Sequence, residues 1–345
     1  RAGARALEGE AREGAHRGEH RRPEGDLRPR RLGRRLDAPQ RHEGTVVVEL
    51  LRATIKEGRP RSGCAVLYRT HAQSRALEEA LVRSGTPYRI AGGTRFYERK
   101  EVKDILAYVR LAHNTADRVS FERIANTPTR GMGDKTVEHI LQTPVSNVHD
   151  ALRSASTSEV LTARARNAIA TLGTLLDEHH AKAASATPST LVRHIIRSTG
   201  YEEFLKDRKE HDTVPVEDRI ENIRELVTVA RKYDEVGADG LAQFLEEVAL
   251  IQDADQRNSD IDCVTLSTIH AAKGLEFPIV IVTGMEEGIF PHSRTVYAPH
   301  ELEEERRLCY VAITRAKDRL IVTLAKWRTI FGSRQANIPS RFLYE

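Results

Sequence analysis

The sequence predicts an α/β protein with a mainly parallel sheet, interrupted by an all-helical block. Three observations predict it. Residues 45–112 alternate strand-like and helix-like runs, the pattern of parallel strands joined by crossover helices. Residues 113–255 carry apolar residues almost only at helical spacing. From residue 256 onward the strand-and-helix texture returns.

The elements follow in order. "TVVVELLRATIKEGR" has apolar residues at helical spacing and ends at Gly58. "CAVLYR" (64–69) reads as a strand, and "QSRALEEALVRSG" (73–85) as an amphipathic helix closed by glycine. "YRIAGG" (88–93) is a short strand leading into a glycine turn, and 99–112 is a further helix. In the middle block, Ile220, Ile223, Val227, Ala230 and Tyr233 form one stripe, and Ile169, Leu172, Leu175 and Leu176 another. The polar run 253–262 reads as a linker. Strands are expected at 263–267, 278–283 and 319–324, with a helix near 301–314. The domains predicted are 45–112 and 256–345 as two parts of one α/β domain, with 113–255 inserted.

Residues 1–44 stand apart. They use only Arg, Ala, Gly, Leu, Glu, His, Pro, Asp and Gln, with no β-branched or aromatic residue. Such a segment buries too little apolar surface to offset its ordering entropy, so disorder is expected. It reads as a solvated tail, with an Arg-rich nucleic-acid arm and an out-of-frame translation of a GC-rich gene as alternatives.

The 345 residues suffice for about two domains. No stretch approaches the roughly 20 apolar residues of a membrane span, and the chain shows no signal peptide or initiator Met. Cys64, Cys263 and Cys309 are widely spaced, without a CxxC pair. Buried thiols in a reducing cytoplasm are the simplest reading. A net charge of +4 does not by itself indicate a nucleic-acid partner.

The sequence contains no GxxxxGK[ST] phosphate loop, so this chain has no complete nucleotide cradle. "TIHAAKGLEF" (268–277) places charged residues between two apolar strands. There, Glu276 is suited to a ribose hydroxyl and Lys273 to a phosphate, while Gly274 permits unusual backbone angles. From spacing alone, an ordinary turn with solvated charges is the favoured reading. In "LEEERRLCYVAITRAKDRL" (302–320) many charges support the helix. Arg315 differs, because it lies at the end of an apolar run and could aim at a neighbouring site.

Six segments, taken together, resemble the C-terminal half of UvrD/PcrA/Rep-type superfamily 1 DNA helicases. They are "VLYRTHAQSRALEEAL", "GGTRFYERKEVKDILAYVRL", "NTPTRGMGDKT", "VTLSTIHAAKGLEFPIVIVTGMEEGIFPH", "EEERRLCYVAITRAKDRL" and "FGSRQANIPSRFL". They occur in that family's order and cover nearly all of residues 45–345.

The resemblance implies a RecA-like sheet, the P-loop NTPase-type second motor domain, interrupted by a helical subdomain. It implies ATP with Mg2+, the metal ligands and Walker motifs coming from an N-terminal half. Arg315 is then the residue that reaches the γ-phosphate, Lys273 and Gly274 lie near that phosphate, and Glu276 contacts the ribose. On the DNA side, His270, His292 and the base-stacking Phe331 match contact positions, and His71 stands where an Asn is usual. Arg130, Gly131 and Gly133 lie in "TPTRGMG", which resembles the helical subdomain's duplex-contacting loop. For Phe331 and for Met132 of the same loop, core packing is the reading from the residues alone. The implied activity is 3′→5′ unwinding in DNA repair, with single-stranded and duplex DNA as partners. A catalytically inactive DNA-binding remnant is the rival.

Overall fold

The computed structural model describes residues 4–10, 40–207, 214–256, 262–295, 298–330 and 333–345. In chain order the first elements are β1 (Ala4–Glu10), α1 (Gln40–Lys56), β2 (Cys64–Tyr68), α2 (His71–Arg83) and β3 (Tyr88–Ala91). Among the described residues nine α-helices follow: α3 (Lys100–His113), α4 (Arg118–Ile124), α5 (Asp134–Gln142), α6 (Val148–Ser156), α7 (Ala163–Ala183), α8 (Pro188–Ser198), α9 (Tyr201–Asp207), α10 (Val216–Ala230) and α11 (Gly240–Gln256). The chain closes with β4 (Val264–Thr268), β5 (Phe277–Val282), α12 (Pro299–Thr314), β6 (Ala316–Ala325), β7 (Trp327–Ile330) and β8 (Ser333–Ala336).

The main sheet has the order β1-β6-β5-β2-β4-β3. The five strands from β6 to β3 are parallel, and β1 joins the β6 edge antiparallel. Segment 1–44 was expected to be a solvated tail, but its Ala4–Glu10 stretch is a strand and α1 already begins at Gln40. Backbone ladder bonds are indifferent to composition, and the long edge of β6 offers a template that almost any extended segment satisfies. Residues 1–3 and 11–39 lie outside the described residues.

Parallel strands buried on both faces need apolar side chains on both, which explains the near-continuous runs "CAVLY" and "PIVIV". One face packs Val66, Tyr68, Leu266 and Ile281 against α1 and α2. The other packs Ala65, Leu67, Val280 and Val282 against Leu308, Cys309 and Ala312 of α12. Burial raises the Cys64 thiol to about 11 and the Cys309 thiol to about 12, so both are inert core groups.

The chain divides into two compact units. One takes in Arg1–Arg95, Ala254–Thr329 and Arg334–Glu345, the other Phe96–Asp253 and Ile330–Ser333. The first division therefore falls at 95/96 and not at 112/113. Helix α3 packs on α4, α7, α8 and α10, and its amphipathic pattern alone gave no sign of which sheet or bundle would receive it. Among the described residues, no helix is long and apolar enough to cross a membrane.

Each unit holds a buried polar cluster. In the sheet unit Arg328, 3% exposed, pairs with Glu43 at 2.7 Å and with Glu286 at 2.5 Å. Glu286 also accepts from Ala325 N and Asn337 Nδ2. Glu43 accepts from Gly284 N and Thr323 Oγ1. Burial pulls the Arg328 guanidinium down, but its two carboxylates more than offset that, so it stays charged. Removing the shared guanidinium leaves two buried carboxylates uncompensated, so Arg328→Met is expected to cost about 3–5 kcal/mol in denaturant unfolding. A loss below about 1 kcal/mol contradicts this reading.

In the helical unit, His179 is fully buried with its Nε2 2.8 Å from Ser198 Oγ. Burial, then His194 and Arg130, lower its pKa to about 3. An unfolded imidazole takes up its proton near 6.5. Between those values the unfolded chain binds the extra proton, so stability is full above about pH 6.5 and falls on acidification. His179→Gln is expected to flatten that slope in melts between about pH 7 and 5; an unchanged slope would exclude His179 as its source.

Candidate functional site

Strands β4 and β5 both run parallel to β2, one on each side of it. Residues 269–276 must therefore carry the chain from the carboxyl edge of the sheet back to its amino edge. A five-residue strand is about 17 Å long, so the crossover traverses the whole face. Its apolar residues fix it there: Ile269 and Ala272 are fully buried in the cluster beneath α12. Backbone turns join Lys273 N to His270 O (3.3 Å) and Leu275 N to Ala272 O (3.0 Å). Gly274 takes φ +88, a left-handed value that a side chain resists. The residues between the anchors are left outside, with His270, Lys273, Leu275 and Glu276 all exposed.

At the amino edge the crossover meets the end of α12. Arg315 is the helix's C-terminal cap. Its Nη1 donates to Leu275 O at 2.9 Å and its Nε to Val311 O at 3.1 Å. Its own carbonyl accepts from Phe277 N at 2.9 Å. Glu276, the next residue after Leu275, lies 3.4 Å from Lys317, and both side chains are about half exposed. Thus Gly274, Glu276 and Arg315 gather at one edge, and Lys317 joins them. Sequence reasoning missed Lys317; its signal was a cation two residues beyond Arg315 at the start of β6.

At the carboxyl edge, Arg69 follows β2 and binds Glu305 of α12 through both nitrogens, at 2.6 and 2.9 Å. Glu305 also accepts from His292 N at 3.1 Å. Burial, then the Arg69 guanidinium, hold the His270 imidazole below its ordinary range, against the pull of Glu305. His71 opens α2, with its Cε1 3.3 Å from the position a Gly93 Cβ would occupy. His71, His270 and His292 are therefore gathered at the carboxyl ends of the strands, where open α/β sheets receive ligands. Neither Arg69 nor Glu305 was singled out by the sequence reading. Glu305 sits in a charged stretch and Arg69 ends an apolar run 236 residues away, so neither announces the pair.

In the helical unit, "TPTRGMG" forms the loop between α4 and α5. Met132 is buried, 3% exposed, as the core reading expected. Arg130 is spent inside the loop: Nη1 donates to Ile124 O (2.9 Å) and Pro128 O (3.1 Å), and Nη2 to Tyr108 Oη (2.5 Å). The loop's resemblance suggested a DNA contact, but Arg130 Nη1 already has backbone acceptors and its Nη2 the Tyr108 hydroxyl. Gly131 (φ +72) and Gly133 are exposed. Phe331 lies outside the described residues.

Residues 31–327 match the UvrD-like helicase C-terminal domain family. The chain is similar to the ATP-dependent DNA helicase PcrA of Bacillus subtilis, 42% identical over 293 residues, which is 82% of this chain and 39% of that protein. It is similar also to the ATP-dependent DNA helicase PcrA of Staphylococcus aureus strain Mu50, 39% identical over 317 residues, 89% of this chain and 42% of that protein. The chain spans about two fifths of the length of the curated relatives it matches.

The crossover depends on a close approach at its upper end. Gly92 takes φ +73, and a Cβ there would fall well inside contact distance of Ala271 Cβ. Gly92→Ala is expected to cost about 1–3 kcal/mol and to raise amide exchange across residues 269–276. Unchanged exchange would show that this contact does not hold the crossover.

Proposed function

We propose a function from the premise that this chain belongs to the family of UvrD-like helicase C-terminal domains: it is the second motor lobe of an ATP-dependent DNA helicase. One observation carries the proposal. Arg315 and Glu276 share the amino edge of the sheet through the Leu275 carbonyl, and the crossover that ends there begins at His270. In this reading a nucleotide site and a strand site are joined by the seven residues from His270 to Glu276.

In this reading the N-terminal helicase half supplies the Walker motifs and holds ATP with Mg2+. Bound ATP supplies the phosphoryl group whose transfer drives the cycle. Arg315, fixed by three hydrogen bonds, stabilises charge at the γ-phosphate as an arginine finger does. Glu276 leaves Lys317 to accept from a ribose hydroxyl, and Lys273 with Gly274 flanks the phosphates. His71, His270, His292 and Phe331 face single-stranded DNA, which stacks on an aromatic platform. The loop that Arg130 holds from inside meets the duplex through Gly131 and Gly133. Closing and opening of the cleft moves the lobe 3′→5′ along one strand, for DNA repair in the cytoplasm. In this reading the sheet unit is the motor lobe and the helical unit its inserted subdomain.

Mixing this chain with a Walker-containing N-terminal half is expected to restore ATP hydrolysis stimulated by single-stranded DNA. Arg315→Ala should lower that turnover about 10³-fold or more while leaving binding of a non-hydrolysable ATP analogue within a few-fold. Full turnover in the variant removes Arg315 from the reaction. DNA binding without any nucleotide effect after mixing supports instead an inactive DNA-binding remnant.

A further inference from the structure

Loop 126–133 raises a question of charge. A loop that meets DNA needs a cation for the phosphates, yet its own Arg130 is consumed by the loop. The Arg130 amide donates to Asn126 Oδ1 at 2.7 Å. Its Nη2 bonds to the Tyr108 hydroxyl, and that hydroxyl in turn donates to Thr127 O at 2.6 Å. Tyr108 is fully buried, and its ring lies under the guanidinium, 5.9 Å from centroid to carbon. Arg130 and Tyr108 thus shape the loop from inside.

Neighbouring arginines are similarly occupied. Arg118 donates to the carbonyls of Leu141 and Val145. Arg166 donates to those of Ser158 and Leu161. Arg164 is different. It is exposed in the first turn of α7, and among the described residues it has no carboxylate or carbonyl partner. Its Nη2 lies 3.4 Å from where a Gly131 Cβ would stand, so the guanidinium rests against the glycine backbone of the loop. A cation in a helix's first turn opposes the helix dipole, at a cost of about 0.3–1 kcal/mol. The fold thus tolerates an unfavourable, solvent-facing Arg at the one place where it borders exposed Gly131.

We propose that Arg164, and not Arg130, is the cation this loop offers to a DNA phosphate, and that Arg130 with Tyr108 positions the loop's backbone. Gly131 leaves room for a phosphate oxygen to approach the peptide groups beside the guanidinium, and a planar Arg fork suits that oxygen pair. The assignment rests on the reading of the loop as a duplex contact.

The test uses the full 345-residue chain and a DNA duplex with a single-stranded 3′ tail. Binding is measured by anisotropy from about 50 to 200 mM salt. Arg164→Gln is expected to weaken binding about tenfold at the lower salt and to reduce the slope of log K against log salt by about 0.9. Amide exchange of residues 126–133 should stay as in the unaltered chain. Arg130→Gln and Tyr108→Phe are expected to do the converse, raising exchange in the loop and leaving the salt slope nearly intact. Unaltered binding and slope in Arg164→Gln overturn this assignment while leaving the proposed function standing. A slope lost in Arg130→Gln and kept in Arg164→Gln reverses it. No salt-sensitive binding by the unaltered chain overturns both.

Discussion

Two parallel strands that flank a third cannot be joined by a tight turn. The chain leaving β4 must travel the height of the sheet before it can enter β5, and in this protein it does so in eight residues. Its length is taken up by the turns that join Lys273 N to His270 O and Leu275 N to Ala272 O. Ile269 and Ala272 are pressed into the apolar layer beneath α12, Ala271 is half-buried, and His270, Lys273, Leu275 and Glu276 are exposed. The polar residues at its two ends therefore keep a fixed separation. A shift of one end is a shift of the other, which is the mechanical property the proposed motor lobe would need.

Helix α12 is a second strut across the same face. Glu305 ties its middle to Arg69 and the His292 amide at the carboxyl edge. Ten residues later, about 15 Å along the axis, Arg315 caps it at the amino edge. The Arg69–Glu305 pair is largely buried, with the carboxylate 3% exposed, so breaking it would leave charge out of water without compensation. That cost makes the strut stiff at one end, and the hydrogen bond from Arg315 to Leu275 closes the frame at the other. Sheet, crossover and helix form one rigid loop of contacts, with chemistry-bearing side chains at opposite ends.

Much of this was legible in the sequence because the signals were periodic. Continuous apolar runs gave β2, β4 and β5, and the 3.6-residue stripe of 220–233 gave α10. What periodicity cannot express is partnership. Helix α3 has an ordinary amphipathic pattern, and only its neighbours assign it to the helical unit. Arg130 and Arg164 are one residue type in similarly basic surroundings, yet one donates to carbonyls and the Tyr108 hydroxyl and the other rests against Gly131; that difference arises from the folded chain. Composition misled at Ala4–Glu10, since a β ladder is made by main-chain groups and asks little of side chains at an edge.

The claim on which the account turns is that the crossover, held by its buried anchors and turns, would link the proposed nucleotide and strand sites. The direct measurement is the ratio of single-stranded DNA dissociation constants with and without a non-hydrolysable ATP analogue. It is made on the protein mixed with its Walker-containing half, before and after two glycines are inserted between Lys273 and Gly274. A linked site obeys reciprocity, so the account predicts a ratio well away from one in the unaltered protein and close to one after the insertion, with each ligand still binding alone. A ratio unchanged by the insertion would contradict it.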